Sequence, residues 1–550
     1  MTRIYRQLCS TNAIDIGIMY SYLGIISGII GTSYSFIIRL ELINSGIKLN
    51  YINIYGSIYN NIITNHGLIM LFYMVIPLLI GNLGNILIPI IIGSLDMTYS
   101  RLNNISYLLL LPGFILFYIS SILYLGYGSG WTLYVNYSLL TGHWNINLDL
   151  IIIAIHIVGI SSIVGSINFI TTIIFNKHIG LTLYIISLYN WCILITSILI
   201  ILSIPILGVA ITFILLDRNI NTNYYNYLSG GSIITYQYLF WLFGHIEVYI
   251  LIIPGFGIIS EIISYLTSSR IFGNLGMVYS IISISILGFI VMYHHMFSIG
   301  LDIDSKVFYN SSTIIIGLPT GIKIYSWITS LYYKETYSQE NCIEYLIYIY
   351  YFISLFIMGG VTGIILSSSI IDLSLHDTYF VVGHFHMVLS IGVVMCVLLG
   401  IYYYLEYILG IWIIYEEIII NKEVIEYINL YIWYIHSILL FIGVNITFII
   451  MHIIGLNGLP RRYSDTNINF NYYNTYITLG SIISLISLIL YFIILINKLS
   501  KCLNKNNYYF IDRLYINRYI FYYININRFN SLHYLHNSFN YHHTLEIPII

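Results

Sequence analysis

Residues 236–262 read YQYLFWLFGHIEVYILIIPGFGIISEI. A helix of that length, at about 1.5 Å per residue, reaches roughly 40 Å and can cross a hydrocarbon layer ~30 Å thick. Its only charged residues are Glu247 and Glu261. The stretch is therefore a membrane helix, and it carries an imidazole, a carboxyl and a phenol within five positions, at His245, Glu247 and Tyr249. Ionisable groups at membrane depth are costly and mark functional sites by default.

Working outward, the same criterion of ~20 largely apolar residues predicts spans at 15–39, 61–92, 105–127, 149–174, 186–215, 236–262, 276–298, 309–332, 343–366, 379–405, 429–453 and 474–497. Turn residues fill the links, as in Gly126–Gly130 and Asp217–Gly231. The composition agrees. Of 550 residues 8% are charged and 59% apolar, against about 25% and 45–50% in soluble domains. So few charges cannot keep this much apolar surface solvated, and the fold class is an all-α membrane protein with twelve transmembrane helices. A net charge of −2 without clustered Lys and Arg excludes nucleic acid as a partner. The cysteines (Cys9, Cys192, Cys342, Cys396 and Cys502) lie too far apart for a disulfide framework or a CxxC metal pair.

The chain has only three alanines, Ala13, Ala154 and Ala210, against 41 glycines. Glycine must therefore supply the close helix approaches for which membrane helices use small residues. The excess of Ile, Asn and Tyr follows A/T-rich codons and carries no chemistry. Residues 1–500 read as one twelve-helix domain, and 501–550 as a polar Asn/Tyr-rich tail on the membrane surface or on a partner. No cleavable signal is expected. Twelve spans put both termini on one side, with thirteen Lys and Arg there, six opposite and Lys323 inside a span. The positive-inside rule assigns the terminal side to the cytoplasm or the mitochondrial matrix.

Six histidines are read at membrane depth: His66, His245, His294, His295, His384 and His386. A single buried histidine is ordinarily polar glue between helices. Six on four spans favour metal binding, because neutral imidazole is the commonest metal ligand. A helix advances ~100° per residue, so His384 and His386 point ~200° apart. They can each hold a different metal, with Phe385 between. His294 and His295 diverge by one helical step and reach a common ion only with local distortion. His245 and Tyr249 share a helix face, while Glu247 points elsewhere. Imidazole suits copper, iron and zinc, and two metals on one helix plus a third His-rich site indicate redox cofactors.

Six runs carry a resemblance: Phe-Gly-His-Ile-Glu-Val-Tyr (243–249), Tyr-His-His-Met-Phe (293–297), Pro-Thr-Gly-Ile-Lys (319–323), Leu-His-Asp-Thr-Tyr (375–379), Gly-His-Phe-His (383–386) and Pro-Arg-Arg-Tyr-Ser-Asp (460–465). In this order and on these spans they resemble the family of subunit 1 of cytochrome c oxidase, mitochondrial type, within the haem–copper oxidases. The likeness runs from Ser10-Thr11-Asn12 to about residue 500, and resumes at His543-Thr544-Leu545-Glu546.

The resemblance implies twelve helices enclosing two haems and a copper site, with O2 reduced to water by electrons from cytochrome c and protons translocated. By similarity, His66 and His386 are axial ligands of low-spin haem a, His384 is the proximal ligand of high-spin haem a3, and His245, His294 and His295 bind the copper B centre. Tyr249, joined covalently to the copper ligand in this family, supplies an electron and a proton; a purely structural Tyr is the plain alternative. Asp96, Asn85, Asn103, Ser161, Ser162, Asn168 and Glu247 match a proton pathway that starts at an aspartate. Lys323, Thr320 and Ser260 match a second route, toward Tyr249. Trp131, Arg461 and Arg462 match contacts to haem propionates, with interfacial anchoring as their alternative. Arg39 matches a residue near the haem a formyl group. His376 and Asp377 match a Mg2+ site completed by subunit 2, and Glu41 and Ser464 a Ca2+ or Na+ site. The implied partners are subunits 2 and 3, accessory subunits, cytochrome c through subunit 2, a respiratory supercomplex and membrane lipid. The implied location is the mitochondrial inner membrane, with both termini on the matrix side. The copper that receives electrons belongs on another chain, since no thiolate-rich site exists here.

Three departures stand out. Ile246 replaces a usual Pro, Tyr134-Val135-Asn136 replaces Tyr-Pro-Pro after Trp131, and Ala13-Ile14 replaces His-Lys. None removes a metal ligand. The competing readings are a quinol oxidase with haem o, a nitric oxide reductase and a twelve-span secondary transporter. Glu247, Tyr249 and Lys323 argue against the second. The lack of repeated halves and the histidine pairings argue against the third.

Overall fold

The computed structural model describes residues 8–46, 57–123, 126–332, 343–407 and 422–503. The tail beyond residue 503 lies outside the described residues. So do the motif at 543–546 and Arg3, Arg6, Lys48 and Lys334 of the charge count.

Among the described residues, twelve helices are long and apolar enough to cross a membrane: α1 (Ala13–Leu42), α2 (Ile58–Ile92), α3 (Ser100–Ile122), α4 (Asn147–Phe175), α5 (Leu188–Asn219), α6 (Ile233–Leu266), α7 (Asn274–Ile299), α8 (Ile303–Tyr332), α9 (Ile343–Ser367), α10 (Tyr379–Leu405), α11 (Leu430–Leu456) and α12 (Ile468–Leu499). Side chains that accept the first free N–H groups of a helix fix several starts. Asn12 caps α1, Ser187 caps α5, Asp302 caps α8 and Thr378 caps α10. Two bounds differ from the hydropathy reading. The third helix begins at Ser100 rather than 105, because Asn103 and Asn104 are polar yet buried in the bundle. The fifth runs to Asn219 rather than 215 and takes in Asp217 and Arg218, which are likewise buried.

Helices adjacent in sequence pack side by side: α3 on α4, α4 on α5, α5 on α6, α10 on α11 and α11 on α12, which returns to α1. The centre belongs to three helices. The most apolar window of α2 is 100% buried, that of α6 89% and that of α10 61%, whereas α3 and α12 reach only 28%. These three carry His66, the His245–Tyr249 turn and the His384/His386 pair. They are also irregular: α2 passes through π-helical turns at Ile69–Val75 and Pro77–Asn82, and α10 through one at Met387–Val393. Such turns recur at functional sites. By contrast α6 runs unbroken through Ile246 to Leu266. Ile keeps the backbone N–H that a proline there would remove, so no break adjoins His245.

Glycine does bring helices together. A Cβ on Gly443 of α11 would lie 2.8 Å from the Gly480 carbonyl and 2.7 Å from the Ser484 N of α12. Gly443→Val should therefore force the two backbones apart and destabilise the bundle by about 1–3 kcal/mol or more. A thermal unfolding midpoint equal to the parent's would contradict this close approach.

Candidate metal centres and polar routes

His245 of α6 and His294 and His295 of α7 converge, with one ligand atom from each lying within 4.8 Å of the others. Nδ1 of His245 and Nε2 of His294 both stand 3.1 Å from Nε2 of His295. Nitrogens bound tetrahedrally to one ion at ~2 Å sit roughly 3.3 Å apart, so the three rings fit a single metal. The local distortion that the adjacent pair requires is present: α7 changes from α-helix to a 3-10 turn over Met292–Ile299, with Met296 out of helical conformation. His294 Nδ1 lies 3.0 Å from the Thr313 hydroxyl, which itself donates to the Tyr309 carbonyl. The ring therefore donates from Nδ1 and leaves Nε2 for a metal. Trp241 stacks on His295 at 4.1 Å, and its indole N–H donates to the Tyr134 hydroxyl at 2.7 Å. One turn along α6, Tyr249 stands 4.7 Å from the His245 ring. Gly288 of α7 admits the phenol, since a Cβ there would lie 2.9 Å from it.

A second pair lies between α2 and α10. His66 Nδ1 stands 2.8 Å from the Gly31 carbonyl, and His386 Nδ1 2.9 Å from that of Val382. Carbonyls only accept, so both Nδ1 atoms carry the hydrogen and both Nε2 atoms offer lone pairs. The rings are within 12° of parallel, with centroids 6.3 Å apart. Two metal–nitrogen bonds of ~2 Å plus the two ring radii fill that separation. His384 is held the same way from α9, its Nδ1 standing 3.0 Å from the Gly359 carbonyl. It rests on Gly363, where a Cβ would come within 2.9 Å of the ring. Thus His384 addresses α9 and His386 addresses α2.

Charged residues gather where α10 begins and α11 ends. Arg461 Nε donates to Asp377 at 2.6 Å, and its Nη2 pairs with the same oxygen. His376 lies 3.7 Å from Asp377 and 3.6 Å from Asp372. Burial alone would raise the Asp377 carboxyl, but Arg461, His376 and Arg462 outweigh it and hold the group below the ordinary carboxylate range. Burial first, and Arg461 second, lower the Arg462 guanidinium from its usual value. Arg462 packs on Gly130, where a Cβ would stand 3.0 Å away. Trp131 lies against Gly67, next to His66, and edge-on to Phe240 at 5.3 Å. Arg39 is buried and donates from Nη2 to Asn474 at 2.9 Å; its Nε and Nη1 have no hydrogen-bond partner among the described residues. The loops bearing Glu41 and Ser464 are tied by Gly46 N to Asp465 (2.7 Å) and Ser45 N to Asn471 (2.8 Å).

Asn85, Asn103, Ser161 and Ser162 line one cavity of about 30 Å³, together with Tyr20 and Ser106. That is room for a water or two. Among the described residues, Asn85 Oδ1 and both amide atoms of Asn103 lack hydrogen-bond partners. Asp96 and Asn168 lie outside this lining. Asp96 accepts from the backbone N of Ala13 and of Met97 at 3.1 and 2.7 Å, and Asn168 brackets Tyr99. Glu247 is buried, and neither of its oxygens has a hydrogen-bond partner among the described residues. The same holds for the Lys323 ammonium, 4.8 Å over Phe256 and 5.6 Å over Trp327. Trp327 donates to the Ser260 hydroxyl at 2.9 Å and so links Ser260 to Lys323. Thr320 turns its hydroxyl to the Ile316 carbonyl of its own helix.

The family described as cytochrome c and quinol oxidase polypeptide I matches residues 15–486. The chain belongs to this family. Among its relatives, cytochrome c oxidase subunit 1 of Candida albicans is 43% identical, over 88% of this chain and 88% of that protein. The subunit 1 of Yarrowia lipolytica is 42% identical over 92% and 90%, and that of Eremothecium gossypii 38% over 100% and 99%. A haem–copper terminal oxidase dimer solved by cryo-EM shares the fold, with a TM-score of 0.68 over 88% of this chain and 84% of that one, at 17% identity.

Reading this oxidase subunit by sequence missed several polar residues. Three further histidines lie within spans, His156 on α4 and His436 and His452 on α11. Even use of the hydropathy windows finds them. His436 bonds to Tyr348 and to the Ser487 carbonyl, and His156 to the Ile152 carbonyl and Thr212. For these two the polar-glue reading holds. Tyr20 and Ser106, joined at 2.7 Å in the cavity wall, and Asp372 beside His376 had no sequence signal of their own.

Proposed function

We propose that this chain is the catalytic subunit of a terminal respiratory oxidase, which reduces O2 to water with electrons from cytochrome c and couples this to proton translocation. The observation that carries the reading is the convergence of His245, His294 and His295 one helical turn from Tyr249, beside three further imidazoles whose Nδ1 atoms are tied to backbone carbonyls. His66 and His386 would hold low-spin haem a, His384 high-spin haem a3, and the three converging histidines the copper B centre. When bound, these groups supply the electron transfer and the oxygen chemistry.

The chain's own residues supply protons and order. Tyr249 holds a phenolic proton beside the copper ligands, and Lys323 Nζ passes protons toward it from Ser260, with Thr320 on the same route. Asp96 collects protons on the terminal side. Asn168, Asn103, Asn85, Ser161 and Ser162 conduct them to Glu247, whose carboxyl has no competing hydrogen bond among the described residues. Arg462 and Trp131 orient haem propionates, Arg461 does so while paired with Asp377, and Arg39 faces the haem a formyl group. His376 and Asp377 would bind Mg2+ with subunit 2, and Glu41 and Ser464 Ca2+ or Na+.

Residues 1–500 form the haem–copper oxidase domain and 501–550 a polar tail. The chain assembles with subunits 2 and 3, accessory subunits and lipid in the mitochondrial inner membrane, termini in the matrix, and joins a respiratory supercomplex. Cytochrome c delivers electrons through subunit 2. The names of the relatives favour this donor over quinol.

Pigment extraction and metal analysis of the purified complex test the whole reading. Two haems and one copper are expected on this chain; haem-free protein that still reduces oxygen would end it. Asp96→Asn should lower steady turnover on the order of 10²-fold and leave haem content alone. Undiminished proton uptake in that variant would remove Asp96 from the route.

A further inference from the structure

Arg218 sits at the end of α5 with its side chain 1% exposed. All five guanidinium N–H groups are engaged. Nε and Nη2 pair with the two oxygens of Asp149 at 2.8 and 3.2 Å. Nη1 donates to the carbonyls of Ser138 (3.1 Å) and His143, and Nη2 to that of Asn145 (2.8 Å). Asp149 lies in the first turn of α4, and Arg218 in the last turn of α5. Each charge complements its own helix dipole. The carbonyls all belong to the loop between α3 and α4.

That loop carries the departure from Tyr-Pro-Pro. Leu133 (φ 50°) and Asn136 (φ 83°) are left-handed. Proline fixes φ near −65°, so Asn136 takes a path that the usual proline forbids, and rigidity must come from elsewhere. The same loop touches both candidate centres. Gly130 N donates to Thr64 at 2.8 Å, and Trp131 lies on Gly67, which bracket His66. Tyr134 accepts from Trp241, which stacks on His295.

We infer that Arg218 is a positioning residue: its fork clamps the 126–146 loop and thereby sets the geometry at His66 and at His295 together. This rests on the proposed oxidase function. The test uses the purified complex with Arg218→Met and Arg218→Lys. Two signatures are read at parental haem and copper content: the electron paramagnetic resonance of the low-spin haem, and the infrared stretch of carbon monoxide bound at the haem–copper centre. Both should shift in Arg218→Met. Arg218→Lys should shift them less, since it keeps the charge and loses the fork. If assembled variants keep both parental signatures, Arg218 serves stability alone and the inference falls.

Should neither variant assemble, Tyr134→Phe decides, because it breaks only the Trp241 link. The carbon monoxide band should then move while the low-spin haem stays as in the parent; an unmoved band overturns the inference. A parent complex lacking haem would instead defeat the functional reading.

Discussion

Replacing His295 with alanine should strip copper from the purified complex and lower oxygen reduction by more than about 100-fold. Residues that merely hydrogen-bond a metal ligand already change affinity by ~10–100-fold, and His295 is the centre of its cluster. Its Nε2 is the atom that both His245 and His294 approach at 3.1 Å. Its loss leaves two imidazoles, and the Trp241 indole faces a gap. The His66–His386 pair belongs to α2 and α10 and does not touch this ring, so the low-spin haem spectrum should persist. His436→Ala provides the contrast: its partners are Tyr348 and Ser487, and copper should stay. Retained copper with normal turnover in His295→Ala would refute the centre.

Lys323→Met should cut turnover by ~10²–10⁴-fold, the range for removing a positioned proton carrier, with folding unharmed. The ammonium is buried over Phe256 and Trp327 and has no hydrogen-bond partner among the described residues. A thioether of similar length keeps the packing and removes the cost of a desolvated cation. In rapid-mixing experiments the low-spin haem should be reduced at the parental rate while reduction of the haem–copper centre lags. Equal rates at both centres would show that protons reach Tyr249 another way.

Much of this was legible because a bilayer admits few solutions. Every backbone group in it must be satisfied internally, so long apolar runs have to be helices, and all twelve are found. The ~100° step also placed His384 and His386 toward different neighbours, and the structure sets them against α9 and α2. What escaped was not periodic. The 3-10 turn that lets His294 and His295 face one point has no hydropathy signature. Nor has the Tyr134–Trp241–His295 contact, which joins residues far apart in the chain. The start of α3 was misplaced because Asn103 and Asn104 are polar inside the bundle, where the window expects carbon.

The π-helical turn after His386 makes the number of residues in α10 matter as much as their kind. It sets the phase between the ligand-bearing end and the half from Val394 onward, where Cys396 meets Gly255 of α6. Deleting one residue within Met387–Val393 would leave the span apolar and long enough, yet turn that half by about 100° and carry Cys396 off its seat. Substitutions can be absorbed in this segment, whereas a single-codon deletion cannot.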